Sequence, residues 1–309
     1  MASILSPILS ALSWLLCLPW KLVHLASGFL HALKKNLSDP YFVDFHSELN
    51  ATSGEHHQSQ TEWINMGYWK ETNDFPTACK ALALKLVQVA QCKSDGIVLD
   101  VGHGCGDSLL LHLEHPSIPR PKRLVGITSQ IQHYRRALER TSVRNPGDSV
   151  DMCLTHGDAV YRGDTPSHPL DAKTYEGAYT TILALDCAYH FRSRRLFLEQ
   201  SFKCLAIGGN IALGDICFAP GSLSLTTRFM IALMGSMPSE NVMTTEEYVA
   251  MLRGIGYVDV KLENITQDVF PGFVTFLKGR GLAFGILASH FERLVSRGML
   301  FVIVSASKP

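Results

Sequence analysis

The residues of this chain that could do chemistry fall into two patterns. The first is Ile97-Val98-Leu99-Asp100-Val101-Gly102-His103-Gly104-Cys105-Gly106, an apolar run ending in a carboxylate, then glycine at every second position. Asp107-Ser108-Leu109-Leu110-Leu111-His112-Leu113 follows with helical apolar spacing. The block reads as a buried parallel strand, a glycine turn and a helix N-terminus, which lets a ligand lie against bare backbone. The carboxylate at Asp100 suits a ligand that carries a cation there. The second pattern is His190 and Asp215, each placed just beyond or at the tip of an apolar run. A histidine with an unperturbed pKa of about 6.5 suits proton abstraction from an alcohol or phenol, and a carboxylate partner would fix its tautomer and stabilise the imidazolium. The competing reading is structural: His190 opens the next helix and Asp215 caps a strand.

A dinucleotide fingerprint would place its third glycine one residue later, where Asp107 stands, and would want an acidic residue at the end of the next strand. That strand, Arg123-Leu124-Val125-Gly126-Ile127-Thr128, ends in Thr128, so a pyrophosphate cofactor such as NAD is disfavoured. Asp100-x-Gly102-x-Gly104-x-Gly106 instead resembles the first motif of the class I S-adenosylmethionine-dependent methyltransferases. The stretch 180–216 is most similar to the branch holding rebeccamycin-type sugar O-methyltransferases and the quinone and tocopherol C-methyltransferases. The resemblance implies S-adenosyl-L-methionine as cofactor, with S-adenosyl-L-homocysteine as product, held by Asp100, Gly102, His103, Gly104, Gly106 and Leu185. It implies Thr128, Ser129 and Gln130 at the ribose in place of the usual acidic residue. Asp158 would meet the adenine amino group and the Ala159 backbone the ring. It also implies His190 and Asp215 as the catalytic pair, Asp186 near the reacting methyl, and Tyr68, Trp69, Phe270 and Phe273 around the acceptor. For Asp158 a loop-turning role competes, and for Tyr68 and Trp69 ordinary helix–sheet packing does.

The elements that must position these groups follow in order along the chain. Residues 4–33 are almost free of charge, with Pro7 and Pro19 breaking the run and Lys34-Lys35 closing it. The run is marginal for a span of about 20 residues, and no basic residue precedes Lys21 as a secretory leader would require. Residues 1–35 are therefore expected to associate with a membrane, either spanning it or lying flat, with the catalytic domain in the cytosol. Residues 36–92 are expected to form a linker and cap helices, including Asn65-x-Gly67-Tyr68-Trp69 and a long helix after Asp74-Phe75-Pro76-Thr77. Residues 93–309 are expected to form the cofactor-binding domain. Strands are read at about 122–127, 151–155, 176–185, 211–215, 257–262 and 299–304. Helices are read from Ile131, over 194–205 (ended by Ile207-Gly208-Gly209), from Thr244 and over about 281–296. A lid lies at about 219–243, built on the apolar helix Leu223 to Met237. Asp268 to Phe273 is read as a pocket-closing aromatic segment. Alternating β and α elements imply a doubly wound α/β sheet, and the resemblance adds the order 3-2-1-4-5-7-6 with the last strand antiparallel. Strands four and five would then lie about 4.8 Å apart, so His190 and Asp215 could approach.

The bulk numbers exclude other classes. Among 309 residues, 28 Lys and Arg balance 28 Asp and Glu, with no basic stripe interleaved with aromatics, so nucleic acid is not an expected partner. The eight cysteines are scattered without metal-ligand spacing, so no metal is expected, and they read as small hydrophobes of a reducing, intracellular compartment. The expected activity is methyl transfer to an oxygen or carbon of a small, fairly apolar metabolite. The alternatives are N-methylation of a lipid head group and a non-catalytic cofactor-binding subunit.

Overall fold

The computed structural model describes residues 49–50, 61–145, 149–163, 167–234 and 237–309. The apolar run 4–33, the 1–35 boundary and most of the 36–60 linker lie outside these residues. No helix among the described residues is long and apolar enough to cross a membrane.

Seven strands form one sheet: β1 (Ile97–Val101), β2 (Arg123–Thr128), β3 (Asp151–His156), β4 (Tyr179–Leu185), β5 (Leu205–Phe218), β6 (Val258–Asn264) and β7 (Met299–Ser307). Their order is β3-β2-β1-β4-β5-β7-β6, and β7 runs antiparallel to both neighbours, as expected. The central strands read as unbroken apolar runs because helices cover both faces. Side chains alternate: Val98 joins the core with Leu82, Leu86 and Phe301, whereas Leu99 and Val101 join Ile127, Phe197, Tyr248 and Leu252 on the other face.

The helices are α1 (Phe75–Ala90), α2 (Asp107–Glu114), α3 (Ile131–Arg144), α4 (Ala172–Tyr175), α5 (Arg194–Cys204), α6 (Leu225–Met234), α7 (Thr245–Ile255), α8 (Thr266–Lys278) and α9 (Leu282–Val295). Local chemistry sets several ends. Asp74 accepts from the Thr77 amide at 3.0 Å, with Pro76 in the first turn of α1. Thr244 and Glu247 form a reciprocal capping box on α7, and Gly256 closes it with φ +118°.

Three boundaries differ from the sequence reading. Helix α5 stops at Cys204 without a glycine, and Leu205 already belongs to β5. The Gly208 amide donates to the Lys308 carbonyl and the Lys308 amide to the Gly209 carbonyl, at 2.9 Å each, so the far end of the chain recruits this glycine pair into the strand. Helix α6 begins at Leu225, inside the apolar stretch Leu223 to Met237 expected to build a lid. Asp268 to Phe273, read from the sequence only as a pocket-closing aromatic segment, falls in the first half of α8, with Pro271 inside. Burial of Val269, Phe270, Phe273, Val274 and Leu277 along one side outweighs the helix-breaking tendency of Pro271-Gly272. Gly272 is required there, because a Cβ would lie 2.2 Å from Trp69 Cγ.

Candidate functional site

The parallel strands converge on one edge at their carboxyl ends, where winding reverses between β1 and β4. Asp100, 2 % exposed, sits there in register with Gly126 of β2 and Leu183 of β4. Ser108 Oγ, from the second residue of α2, donates to its Oδ2 at 2.5 Å. Burial pushes the Asp100 carboxyl up to about 6, against the opposing effect of the serine. Behind it, Gly102 and Gly104 have φ of +78° and +55°, a region L side chains avoid. A Cβ on Gly102 would lie 2.7 Å from Cys187 Sγ, and one on Gly104 2.8 Å from Ile64 Cδ1. The turn is therefore closed in by the β4 end on one side and by the 61–69 segment on another.

His103 is buried in this turn, its Nδ1 3.0 Å from the Gly104 carbonyl. A carbonyl only accepts, so Nδ1 carries the proton and Nε2 presents a lone pair. That Nε2 has no protein partner. Burial holds the imidazole neutral, with its pKa down to about 4. The ring fits because β2 has no side chain at Gly126, where a Cβ would meet His103 Cδ2 at 2.8 Å. A buried carboxyl, a glycine turn with no side chains at Gly102 and Gly104, and an orphaned acceptor suit a nucleoside ligand that carries a cation and N–H or O–H donors, so the residues fit the expected cofactor.

At the end of β4, Asp186 takes φ +56° and is buried. Its Oδ2 accepts from the Met66 amide at 2.7 Å and its Oδ1 from Tyr189 Oη at 3.0 Å. Burial raises its pKa to about 7, with the nearby Asp215 charge adding to the rise. The carboxyl thus ties the N-terminal cap to the site. A folded pKa above the ordinary 3.8 means that the native state holds the proton. The stability it contributes is present below about pH 4 and lost as pH rises through about 7. Relative to Asp186→Asn, the wild type should therefore lose melting temperature between pH 5 and pH 8. A constant gap between the two proteins would sink the assignment.

His190 ends a short 3-10 turn (Ala188–His190) whose amide bonds return to Cys187, with its ring 4.1 Å from that of Tyr189. Asp215, on β5, is fully buried, and Tyr248 Oη donates to its Oδ2 at 2.7 Å. Arg194 Nε lies 3.2 Å from that oxygen, close enough for an ion pair but off line for a hydrogen bond. The carboxylate also accepts from the Ile216 amide at 2.9 Å and from the Tyr189 backbone. Burial raises its pKa, while Arg194 and these donors pull it back.

The remaining expected residues are placed as follows. Thr128 is buried at the end of β2, Ser129 is exposed, and Gln130 is the N-cap of α3 without a side-chain bond. Asp158 is exposed after β3, and its Oδ1 accepts from the Val160 amide at 2.8 Å, a loop-turning bond; Ala159 is buried beside it. Leu185 closes β4 opposite Gly214. Trp69 packs between α1 and α8, its ring 6.2 Å from Phe75 and 5.5 Å from Phe276. Tyr68 lies under Lys85 of α1, whose Nζ is 5.5 Å from the ring. Phe270 and Phe273 both meet Phe291 of α9, at 5.8 and 5.7 Å, within the core. These four aromatic rings are thus engaged in packing.

Sequence reasoning missed the residues that hold the site together from a distance. Asn241, buried in the short 3-10 turn (Ser239–Asn241) between α6 and α7, donates through Nδ2 to the carbonyls of Tyr189 and Phe191, at 2.9 and 2.6 Å, and so staples the backbone on both sides of His190. Its Oδ1 accepts from the Arg194 amide at 2.9 Å. On the other flank, Arg140 grips Asp107 with two bonds of 2.6 and 2.7 Å and the Cys105 carbonyl at 2.9 Å, while Asp107 accepts from the Glu62 amide. Only spatial neighbours reveal these roles; nothing local in the sequence marks them.

No protein-family profile matches the chain. It is 30 % identical over 230 residues to erythromycin 3''-O-methyltransferase of Saccharopolyspora erythraea, covering 71 % of this chain and 70 % of that enzyme. It is 22 % identical over 213 residues to 27-O-demethylrifamycin SV methyltransferase of Amycolatopsis mediterranei, covering 69 % and 72 %. Among solved structures, geranyl diphosphate C-methyltransferase from Streptomyces coelicolor A3(2), in complex with Mg2+, geranyl diphosphate and S-adenosyl-L-homocysteine, shares the fold. Its TM-score is 0.62 at 17 % identity, over 76 % of this chain and 82 % of that one. The first relative shares both the identity and the extent that define a family, and the sheet order is the one that family's fold requires. The chain belongs to the class I S-adenosylmethionine-dependent methyltransferases that act on small molecules.

Proposed function

We propose that the protein methylates an oxygen or carbon of a small, fairly apolar metabolite, with His190 as the base for an oxygen acceptor. The observation that carries the cofactor site is Asp100, a buried carboxyl bonded to Ser108 and facing a turn of positive-φ glycines. When bound, S-adenosylmethionine supplies an electrophilic methyl group for in-line displacement at carbon. Asp100 opposes the ligand's positive charge, the turn presents backbone amides, and His103 Nε2 accepts a donor from it. Thr128, Ser129 and Gln130 take the ribose side, and Asp158 and Ala159 the adenine side. Leu185 borders the cofactor, and Asp186 lies beside the reacting centre while holding the cap through Met66. His190 takes the acceptor proton. Asp215 positions the His190 turn through the Tyr189 backbone and is itself held by Arg194 and Tyr248. Tyr68, Trp69, Phe270 and Phe273 shape the acceptor side through the helices they pack together. Residues 4–33 associate the enzyme with a membrane, in keeping with an apolar acceptor.

The O-methyltransferases among the relatives support an oxygen acceptor. The test is incubation with methyl-labelled S-adenosylmethionine and panels of glycosylated polyketides, hydroxylated terpenoids and phenols, followed by mass spectrometry. Label in an ether or a new C–methyl bond is the expected result. Label only in amines would move the protein to head-group N-methylation, and tight S-adenosylhomocysteine binding without turnover would make it a non-catalytic subunit.

The cofactor site also has a pH signature. A cationic ligand favours ionised Asp100, so binding releases a proton and weakens as pH falls through about 6. Affinity for S-adenosylmethionine at pH 5 should be lower than at pH 7.5 by roughly tenfold, and Asp100→Asn should flatten that dependence while weakening binding throughout. Calorimetry at the two pH values reads both effects.

A further inference from the structure

We propose that the outer faces of α6 and α9 together form a docking surface for an anionic lipid membrane. Helix α6 exposes Leu225 and Phe229, 87 % and 70 % accessible, and α9 exposes Leu282 and Ile286, 85 % and 59 %. Each pair is spaced four residues apart and so shares one side of its helix. The two helices pack beside each other, and Arg297, just past α9, donates to Thr226 Oγ1 at 3.2 Å at the start of α6. Ile231 of α6 and Phe284, Ala288 and Phe291 of α9 enter the same core, so the opposite sides of both helices look outward from it together. Large apolar side chains exposed in neighbouring pairs on adjoining helices are unusual for a solvated surface and typical of an interaction face.

Charge identifies the occupant. The chain as a whole is balanced, 28 against 28. Within 225–232 and 278–297, however, Arg228, Lys278, Arg280, Arg293 and Arg297 stand against Glu292 alone, and Glu292 is paired with Lys278 at 2.7 Å. Apolar side chains that enter the acyl boundary, with basic residues around them, are how a helical surface holds to anionic lipid without spanning it. The position suits the use: α6 falls within the stretch expected to form a lid over the acceptor side, and Asn241 of the same stretch reaches the His190 turn. An acceptor dissolved in lipid would then enter directly beneath the lid. The surface draws on no residue of the run 4–33, and its lipid binding does not depend on the methyl-transfer reading.

The test is flotation of the full-length protein with phosphatidylcholine vesicles, with and without phosphatidylserine. The combined Leu225→Ser, Phe229→Ser, Leu282→Ser and Ile286→Ser variant should partition onto the anionic vesicles about tenfold less or weaker still than the wild type. Arg228→Glu with Arg293→Glu should lose the preference for anionic over neutral vesicles. Binding of S-adenosylhomocysteine checks that each variant is folded. A serine variant that is folded and floats within about twofold of wild type would overturn the proposal and leave the attachment to residues 4–33. A wild type that floats with neither vesicle would overturn it as well. If the serine variant fails to fold, the charge variant decides, and an unchanged preference counts against the proposal.

Discussion

Asp215→Ala should destabilise the protein by about 3–5 kcal/mol, a large fraction of what holds a domain folded. The cost arises because Arg194 is as deeply buried as its partner: both side chains are 0 % accessible. Removing the carboxylate leaves a guanidinium with only the Ile216 carbonyl, at 3.1 Å, and the face of Tyr248, 4.7 Å away, to offset its lost hydration. It also strands the fully buried Tyr248 hydroxyl, whose acceptor is the Asp215 carboxylate. Arg194→Met alone should cost a similar amount for the mirror-image reason. The double variant Arg194→Met/Asp215→Leu should lose clearly less than the sum of the two singles, since no unpaired charge remains. Urea unfolding of the three variants measures this. Singles within about 1 kcal/mol of wild type would show that water reaches the pair and that Asp215 is no anchor.

That cluster marks the limit of what the sequence made legible. The stretch Ile97–Gly106 announces itself because each of its features is local: an apolar strand, a carboxylate and glycines at positions where only glycine fits without strain. The sheet order came from resemblance, and hydrogen-bonded pairing bears it out strand by strand. Asp215, by contrast, was legible as a charged residue at a strand tip and no further. Its partners come from the first turn of α5 and from Tyr248 of α7, and no periodicity links residues 33 positions apart. Helix α8 was hidden for a different reason. Pro271-Gly272 reads as a breaker, and only the packing of Trp69 onto Gly272 and of five apolar side chains into the core reverses that local preference. Phe270 and Phe273 both reach Phe291 of α9 from that helix.

His190→Ala should lower turnover on an oxygen acceptor by about a hundredfold or more, with little change in affinity for S-adenosylhomocysteine. The histidine ends the 3-10 turn beyond β4 and is not among the residues proposed to hold the cofactor, so its loss should appear in kcat and not in cofactor binding. The rising limb of kcat with pH should disappear as well, because the group that must be neutral to accept the proton is gone. An amine acceptor, which needs positioning more than a base, should be almost indifferent to the change. Asn241→Ala separates the base from its support. It keeps the imidazole but removes both bonds that clamp the backbone on either side of it. Turnover should fall by about tenfold while the pH profile keeps its rising limb, the signature of a displaced base as opposed to an absent one. If His190→Ala left kcat and its pH profile untouched on an acceptor shown to be an alcohol, the proton would have to leave by another route. Asp186, bonded to Tyr189 and titrating near neutrality, is the group that geometry would put in its place.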